Sequence, residues 1–265
     1  MSFAGLKVVV VGLAREGSAA ARFLAEQGAA VTVTDAQPAR KLAGRVAALQ
    51  SLGITFCLGR HPVTLLNPSR TDLLVVSPGV PPGIPFLRQA KGRGLPLTTE
   101  SRLFCRLCPA PIVGISGSSG KTTTTTLVGN MLRAAGFTTH VGGNIGQPLI
   151  GRLAEISPQD RVVMELSSFQ LEYFHSSFNR GARFPPRFEW LDRGWSPTVG
   201  ALLNLTPNHL DRHKTMAAYA HAKRALVQYM GPGQTAVLGL DNPAAAQTPV
   251  GAGAAVHGFS ARQPV

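Results

Sequence analysis

Twelve residues constrain this chain most: Ile112-Val-Gly-Ile-Ser116-Gly117-Ser118-Ser119-Gly120-Lys121-Thr122-Thr123. Small and β-favouring residues run into a glycine-rich turn, a lysine follows, and hydroxyl side chains open the next segment. A strand that ends in such a turn and feeds a helix aims backbone N–H groups at one point, and the positive end of the helix dipole reinforces them. The pattern predicts a phosphate cradle made of Gly117, Ser118, Ser119, Gly120, Lys121, Thr122 and Thr123. Lys121 supplies the charge, and Thr122 stands where a hydroxyl ligates the Mg2+ that accompanies a triphosphate. The strict P-loop spacing is not met, because Ile115 occupies the position of its first glycine. The following helix is read from Leu127, Met131 and Leu132, with Gly136 as its stop signal. The run Thr122–Thr126 has poor helix propensity, so ligand contact by its first two members is the simplest reason for it.

The remaining totals set bounds. A chain of 265 residues holds one large or two ordinary domains, and 29 Gly with 20 Pro imply a turn-rich globular fold. No apolar run reaches the roughly 18 residues that span a bilayer, and the first residues lead straight into a strand rather than a signal peptide. A cytoplasmic protein without membrane contact is expected. The formal charge of +13 is dispersed, with no long basic block and few aromatics to stack bases, so an anionic small substrate or solubility accounts for it and nucleic acid is not expected. Cys105 and Cys108 have the spacing of half a zinc site without a second half, and Cys57 is a third, odd thiol; buried or incidental cysteines are the expectation.

Along the chain, Lys7–Val11 reads as a strand, Gly12–Ser18 as a tight turn into a helix to Gln27, and Ala30–Thr34 as a second strand with Asp35 at its carboxyl end. This is a βαβ unit of the dinucleotide-binding type, with Ala14 where its second glycine belongs. NAD, another nucleotide and a purely structural role all remain open from these residues alone. Further strands are expected at 54–58 and 72–76, the latter ending in Ser77-Pro78-Gly79-Val80, and helices at 38–52, 86–92 and 101–108. Pro109-Ala-Pro111 marks the expected boundary between residues 1–108 and 109–265. The second part contains strands at 112–116, 161–164, 199–205 and 235–240. In a doubly wound sheet their carboxyl ends form the ligand crevice, so the phosphate loop, Glu165, His209 and Asp241 are expected to converge. An acidic residue on a neighbouring strand is how P-loop enzymes hold Mg2+. His140–Gly146 reads as a flexible turn, 216–229 as an amphipathic helix carrying Lys223, and Phe174–Arg193 as a surface insertion. The fold class expected is α/β: an N-terminal Rossmann-like domain followed by a P-loop-type, mostly parallel ATPase domain.

Taken together, four stretches resemble the Mur ligases: Gly114–Thr126, Gly142-Gly-Asn-Ile-Gly146, Glu165-Leu-Ser-Ser-Phe-Gln-Leu-Glu172 and Asn204-Leu-Thr-Pro-Asn-His-Leu-Asp-Arg-His213. The Glu-Leu-Ser-Ser-Phe-Gln block favours the branch that adds D-glutamate. The resemblance implies an ATP-dependent ligase of peptidoglycan synthesis that phosphorylates the alanyl carboxylate of UDP-N-acetylmuramoyl-L-alanine and lets D-glutamate attack the acyl phosphate.

By the same resemblance, Lys121 would neutralise the β- and γ-phosphates, Thr122 and Glu165 would ligate one Mg2+, and His209 would ligate a second. Lys223 would be a carbamylated lysine beside that second ion. Asn144, Ser167 and Gln170 would meet substrate near the reacting carboxylate. Gly12, Leu13, Ala14, Asp35, Ser77 and Gly79 would hold the UDP end, which turns the reading of the first domain from NAD to a uridine nucleotide. Catalysis would rest on Lys121, Asn144, His209 and Lys223, and the protein would act as a monomer. The loop departs from the family in reading Ser116-Gly-Ser118 for Thr-Gly-Thr, which keeps the hydroxyls. Family members also continue into a third domain, so the chain is expected to be a ligase truncated within its central domain. A sibling muramyl-peptide or folylpolyglutamate-type ligase, and a nucleotide-binding fragment without turnover, are the alternatives.

Overall fold

The computed structural model describes residues 2–184 and 186–262, which form two compact units. Unit one comprises residues 1–107 and 176–193, and unit two comprises 108–175 and 194–265.

Unit one is built on β1 (Lys7–Val11), β2 (Ala30–Asp35), β3 (Thr55–Leu58), β4 (Leu73–Val76) and β5 (Leu97–Thr98). The strands pair in parallel in the order β3-β2-β1-β4-β5. Val8–Val11 of β1 and all of β4 are buried, as continuous apolar runs must be when helices cover both faces. The helices are α1 (Arg15–Glu26), α2 (Ala39–Ala47), α3 (Pro85–Gly92) and α4 (Glu100–Leu107). The predicted helix at 38–52 breaks after Ala47 into a short 3-10 turn, Gln50–Leu52, closed by Gly53 in the left-handed region.

The reading of Phe174–Arg193 as a surface insertion is corrected. Ser176–Arg193 clusters with unit one, and its Phe188 and Leu191 are buried. The carboxamide of Asn179 accepts from Leu97 N at 2.9 Å and donates to Leu97 O at 2.8 Å, as a neighbouring strand would. It thereby covers part of edge strand β5, whose backbone groups would otherwise invite pairing. Arg102, fully buried on α4, donates to the carbonyls of Leu191 and Arg193. The signal was hidden because backbone-directed polar contacts have no periodicity.

Unit two contains β6 (Ile112–Ser116), β7 (Thr139–Gly143), β8 (Arg161–Glu165), β9 (Val199–Leu202), β10 (Thr235–Gly239) and β11 (Ala255–Phe259). All pair in parallel, in the order β11-β10-β9-β6-β8-β7. Of the flexible turn expected over His140–Gly146, the first part is edge strand β7, pinned at its start by a buried pair, His140 Nε2 to Asp160 Oδ2 at 2.9 Å, and only residues 144–146 bend. Strand β11 was not foreseen in the Gly/Ala-rich tail.

The helices of unit two are α5 (Lys121–Ala134), α6 (Ser168–Leu171), α7 (Leu210–His213), α8 (Met216–Gln228) and α9 (Pro243–Ala246). On α5 the expected apolar face is wrong: Leu127 and Met131 are 56% and 61% exposed, while Thr125 and Gly129 are buried. Close approach explains it, since a Cβ on Gly129 would lie 2.6 Å from Val141 Cγ2. Helix α8 uses the same device. Gly114 on β6 and Gly200 on β9 pair in register, and a Cβ on them would lie 3.0 Å from Leu226 Cδ1 and 2.8 Å from Leu226 O. The two glycines let α8 lie tight against the sheet.

Candidate active site

In unit two the chain leaves β6 between β8 and β9, the strand order reverses there, and ligands bind at such switch points. The register Ile115↔Glu165 and Ser116↔Leu202 brings three strand ends to one level. The turn closes through Gly120, whose φ of 77° lies in the left-handed region, and α5 starts at Lys121.

Glu165, almost fully buried, accepts from Thr122 Oγ1 at 2.7 Å and from Asn144 Nδ2 at 2.7 Å. Asn144 is held there by its own N–H, which donates to Glu165 O at 2.9 Å. A carboxylate beside a hydroxyl is an oxygen donor set that fits Mg2+, which takes one or two protein oxygens and completes its shell with water and phosphate.

Two lysines flank the loop. Lys121 Nζ donates to Gly117 O at 2.9 Å and Ser118 O at 3.3 Å. Lys223, from α8, donates to the same Gly117 O at 2.9 Å and to Ser116 Oγ at 3.0 Å. Lys223 is 1% exposed, and burial, with Lys121 adding to it, pushes its amine down to about 7 against the opposing pull of Glu165.

The expected convergence is partial. His209 is exposed, adopts a left-handed φ of 52° and packs its ring 4.9 Å from that of Phe169. Among the described residues no three His, Cys, Asp or Glu side chains group to hold a metal ion. The expected place of Lys223 beside a second ion belongs to a carbamylated side chain, since an ammonium has no lone pair to offer a metal. Asp241 is spent elsewhere, on Ser260 Oγ and Ala261 N. Ser167 and Gln170 form a capping box on α6, with Gln170 Oε1 accepting from Ser167 N at 2.8 Å. Gln170 is fully buried and caps α6.

Three residues escaped the sequence reading. Tyr219 OH lies 3.0 Å from Ser118 Oγ, His213 Nε2 lies 3.0 Å from Ser168 Oγ, and Asn204 bonds the loop directly. Tyr219 and Lys223 are four residues apart on α8, a spacing that puts both on one face and was legible. Burial, reinforced by Arg212, His209 and Lys223, pushes the His213 imidazole down to about 4, so it is neutral at neutral pH.

Unit one places its own glycine turn between β1 and β4. Gly12 N donates to Thr34 O at 2.8 Å. The Asp35 carboxylate accepts from Leu13 N at 2.6 Å and from Gln37 N at 2.7 Å, and Arg45 donates to Leu13 O at 2.9 Å. A Cβ on Gly17 would fall 1.9 Å from Gly12 O, so only glycine fits there. Leu13 is buried, Ser77 N donates to Val11 O, and Gly79 and Ala14 are exposed. Ser77 thus lies beside Gly12, and Asp35 fastens the backbone of the turn.

Comparison with known proteins agrees with this layout. Residues 115–264 match the Mur ligase middle domain, and residues 6–99 match the Mur ligase MurD-like N-terminal domain. The UDP-N-acetylmuramoylalanine--D-glutamate ligase of Pelotomaculum thermopropionicum is 41% identical over 261 residues, covering 98% of this chain and 53% of that protein. The enzyme of the same name from Trichlorobacter lovleyi is 44% identical over 236 residues, covering 89% and 48%. The chain spans about half the length of the curated relatives it matches. In fold it is similar to the UDP-N-acetylmuramate:L-alanyl-gamma-D-glutamyl-meso-diaminopimelate ligase from Neisseria meningitides, with a TM-score of 0.60 at 19% identity, covering 97% of this chain and 78% of that one.

Proposed function

The chain belongs to the Mur ligase family, and from that premise we propose that it carries the UDP-substrate-binding and ATP-binding parts of a ligase joining D-glutamate to UDP-N-acetylmuramoyl-L-alanine. The observation that carries this reading is the Thr122–Glu165 oxygen pair set beside Lys121 at the end of the phosphate loop. ATP phosphates would lie on the loop Gly117–Thr123, with Lys121 neutralising charge as the γ-phosphoryl group moves to the alanyl carboxylate. A Mg2+ ion held by Thr122 and Glu165 would supply further neutralisation of the phosphate oxygens. The chain's own residues fit one such ion. Asn144 orients Glu165 through its side-chain amide.

Lys223 is proposed to be carbamylated. Burial pushes its amine down to about 7, so the neutral form that carbamylation needs is accessible near neutral pH. The neutral amine attacks CO2, an N–C bond forms and one proton leaves to solvent. The product is an anion among Lys121, Ser116 and the loop, and it acquires the oxygen donors that an ammonium lacks. A carbon-13 carbamate resonance from labelled bicarbonate, absent in Lys223→Met, is the expected result.

In unit one, the turn Gly12–Ala14 with Asp35, Ser77 and Gly79 would hold the UDP end. A cytoplasmic location and a monomeric state belong to the same reading. No helix among the described residues is long and apolar enough to cross a membrane. The test is ADP release by the purified chain with Mg-ATP and UDP-N-acetylmuramoyl-L-alanine, with and without D-glutamate. D-Glutamate-dependent release supports full ligation. Absence of release together with absence of ADP binding contradicts the reading.

A further inference from the structure

We propose that Asn204 is a positioning residue that sets where on the loop the phosphates sit, an inference that rests on the ATP-binding reading above. Asn204 follows β9, and its side-chain oxygen accepts from Ser118 N and Ser119 N, each at 3.0 Å. Its backbone oxygen also accepts from Ser118 N at 3.0 Å, and its Nδ2 donates to Ser119 O at 3.3 Å. Two successive N–H groups converging on one oxygen is the way a backbone nest holds an anion. Here the oxygen belongs to Asn204.

The front of the loop is tied down further. Ser118 Oγ donates to Thr206 O at 2.9 Å and accepts from Thr206 N at 2.9 Å, which leaves it to accept the Tyr219 hydroxyl at 3.0 Å. Beyond Gly120 the situation reverses. The first turn of α5 has no side-chain cap, and its leading N–H groups have no partner within the helix. The phosphates therefore sit on the helix side of Gly120, on the N–H groups of Lys121, Thr122 and Thr123, facing Thr122 and Glu165. Ser118 and Ser119 shape the loop rather than bind through their N–H groups.

The test is calorimetric titration of Mg-ADP and of AMP into the whole chain and into Asn204→Ala, Asn204→Asp and Lys121→Ala, with thermal melting of each. Asn204→Ala is expected to weaken Mg-ADP about tenfold, the scale of the lost hydrogen bonds that hold the loop, and to leave AMP unchanged because AMP has no β-phosphate to place. Asn204→Asp keeps acceptor oxygens for both N–H groups and so keeps the loop folded. It is therefore expected to recover most of the Mg-ADP affinity that Asn204→Ala loses, since the loop is held by the same contacts. Asn204→Ala binding Mg-ADP as tightly as the parent, or tighter, would overturn the proposal, as would equal losses for AMP and Mg-ADP. Should Asn204→Ala melt early, its Mg-ADP and AMP titrations are made below its melting temperature and read by the same comparison. Unchanged Mg-ADP binding in Lys121→Ala would instead sink the ATP-binding reading itself.

Discussion

Both units place a glycine turn between a central parallel strand and a helix, yet the side chains that fasten the two turns differ. The turn after β6 is ringed by Lys121 and Lys223, and its single buried carboxylate, Glu165, is set back against Thr122. The turn after β1 is fastened by the Asp35 carboxylate, and Glu16 lies buried in the first turn of its helix. The shared geometry supplies N–H groups at a helix start; the surrounding side chains decide how much negative charge can be placed on them. The first turn suits a ligand recognised through its backbone and shape, and the second suits a triphosphate with its cation.

Substitutions can break this contrast. The largest effect is expected from Lys121→Ala, which should weaken Mg-ADP by on the order of 100-fold, as loss of a charge-assisted contact does, with UDP binding unchanged in the same calorimeter. Gly17→Ala attacks the other turn. Its Cβ meets backbone rather than a flexible side chain, so unit one should lose about 2 kcal/mol or more of stability in denaturant melts. Asp35→Ala should weaken UDP about tenfold while sparing Mg-ADP, because it frees two backbone N–H groups that shape the turn.

Acid offers a way to separate the units. His175 in unit two is buried, bonded to His221 O at 2.7 Å and near Tyr229 OH at 3.0 Å, and its ring stacks 4.1 Å from that of His221. Burial, then His221, pushes its imidazole down to about 4 from 6.5. The unfolded chain therefore takes up this proton first. Its contribution to stability is complete above pH 6.5 and is lost as pH falls from 6.5 toward 4. His213 and His221 are lowered in the same unit, whereas in unit one burial lowers His61. Melting followed against pH should show unit two weakening first, and His175→Gln should flatten that slope. The smallest effect is expected at Leu127→Gln, within about 0.5 kcal/mol, because that side chain is exposed.

The strand–turn–helix units were legible because parallel strands buried on both faces read as short apolar runs, as in Val8–Val11 and Leu73–Val76. Lys121 and Thr122 were legible because they follow a glycine turn at the end of such a run, and Glu165 because it ends one. What escaped was contact that leaves no periodic trace. Asn204 and Asn179 act on backbone groups far away in sequence, and α8 approaches the sheet through the absence of side chains at Gly114 and Gly200. The apolar face of α5 was misread for a related reason: Gly129 gives close packing, and hydrophobicity alone does not reveal it.

The central claim is that the two turns hold two different ligands. Its most direct test is titration of Mg-ADP into the chain already saturated with UDP. The account predicts the same stoichiometry and affinity for Mg-ADP as in the absence of UDP, since each nucleotide has its own unit. Displacement of UDP by Mg-ADP, with an apparent affinity that falls as UDP rises, would contradict it.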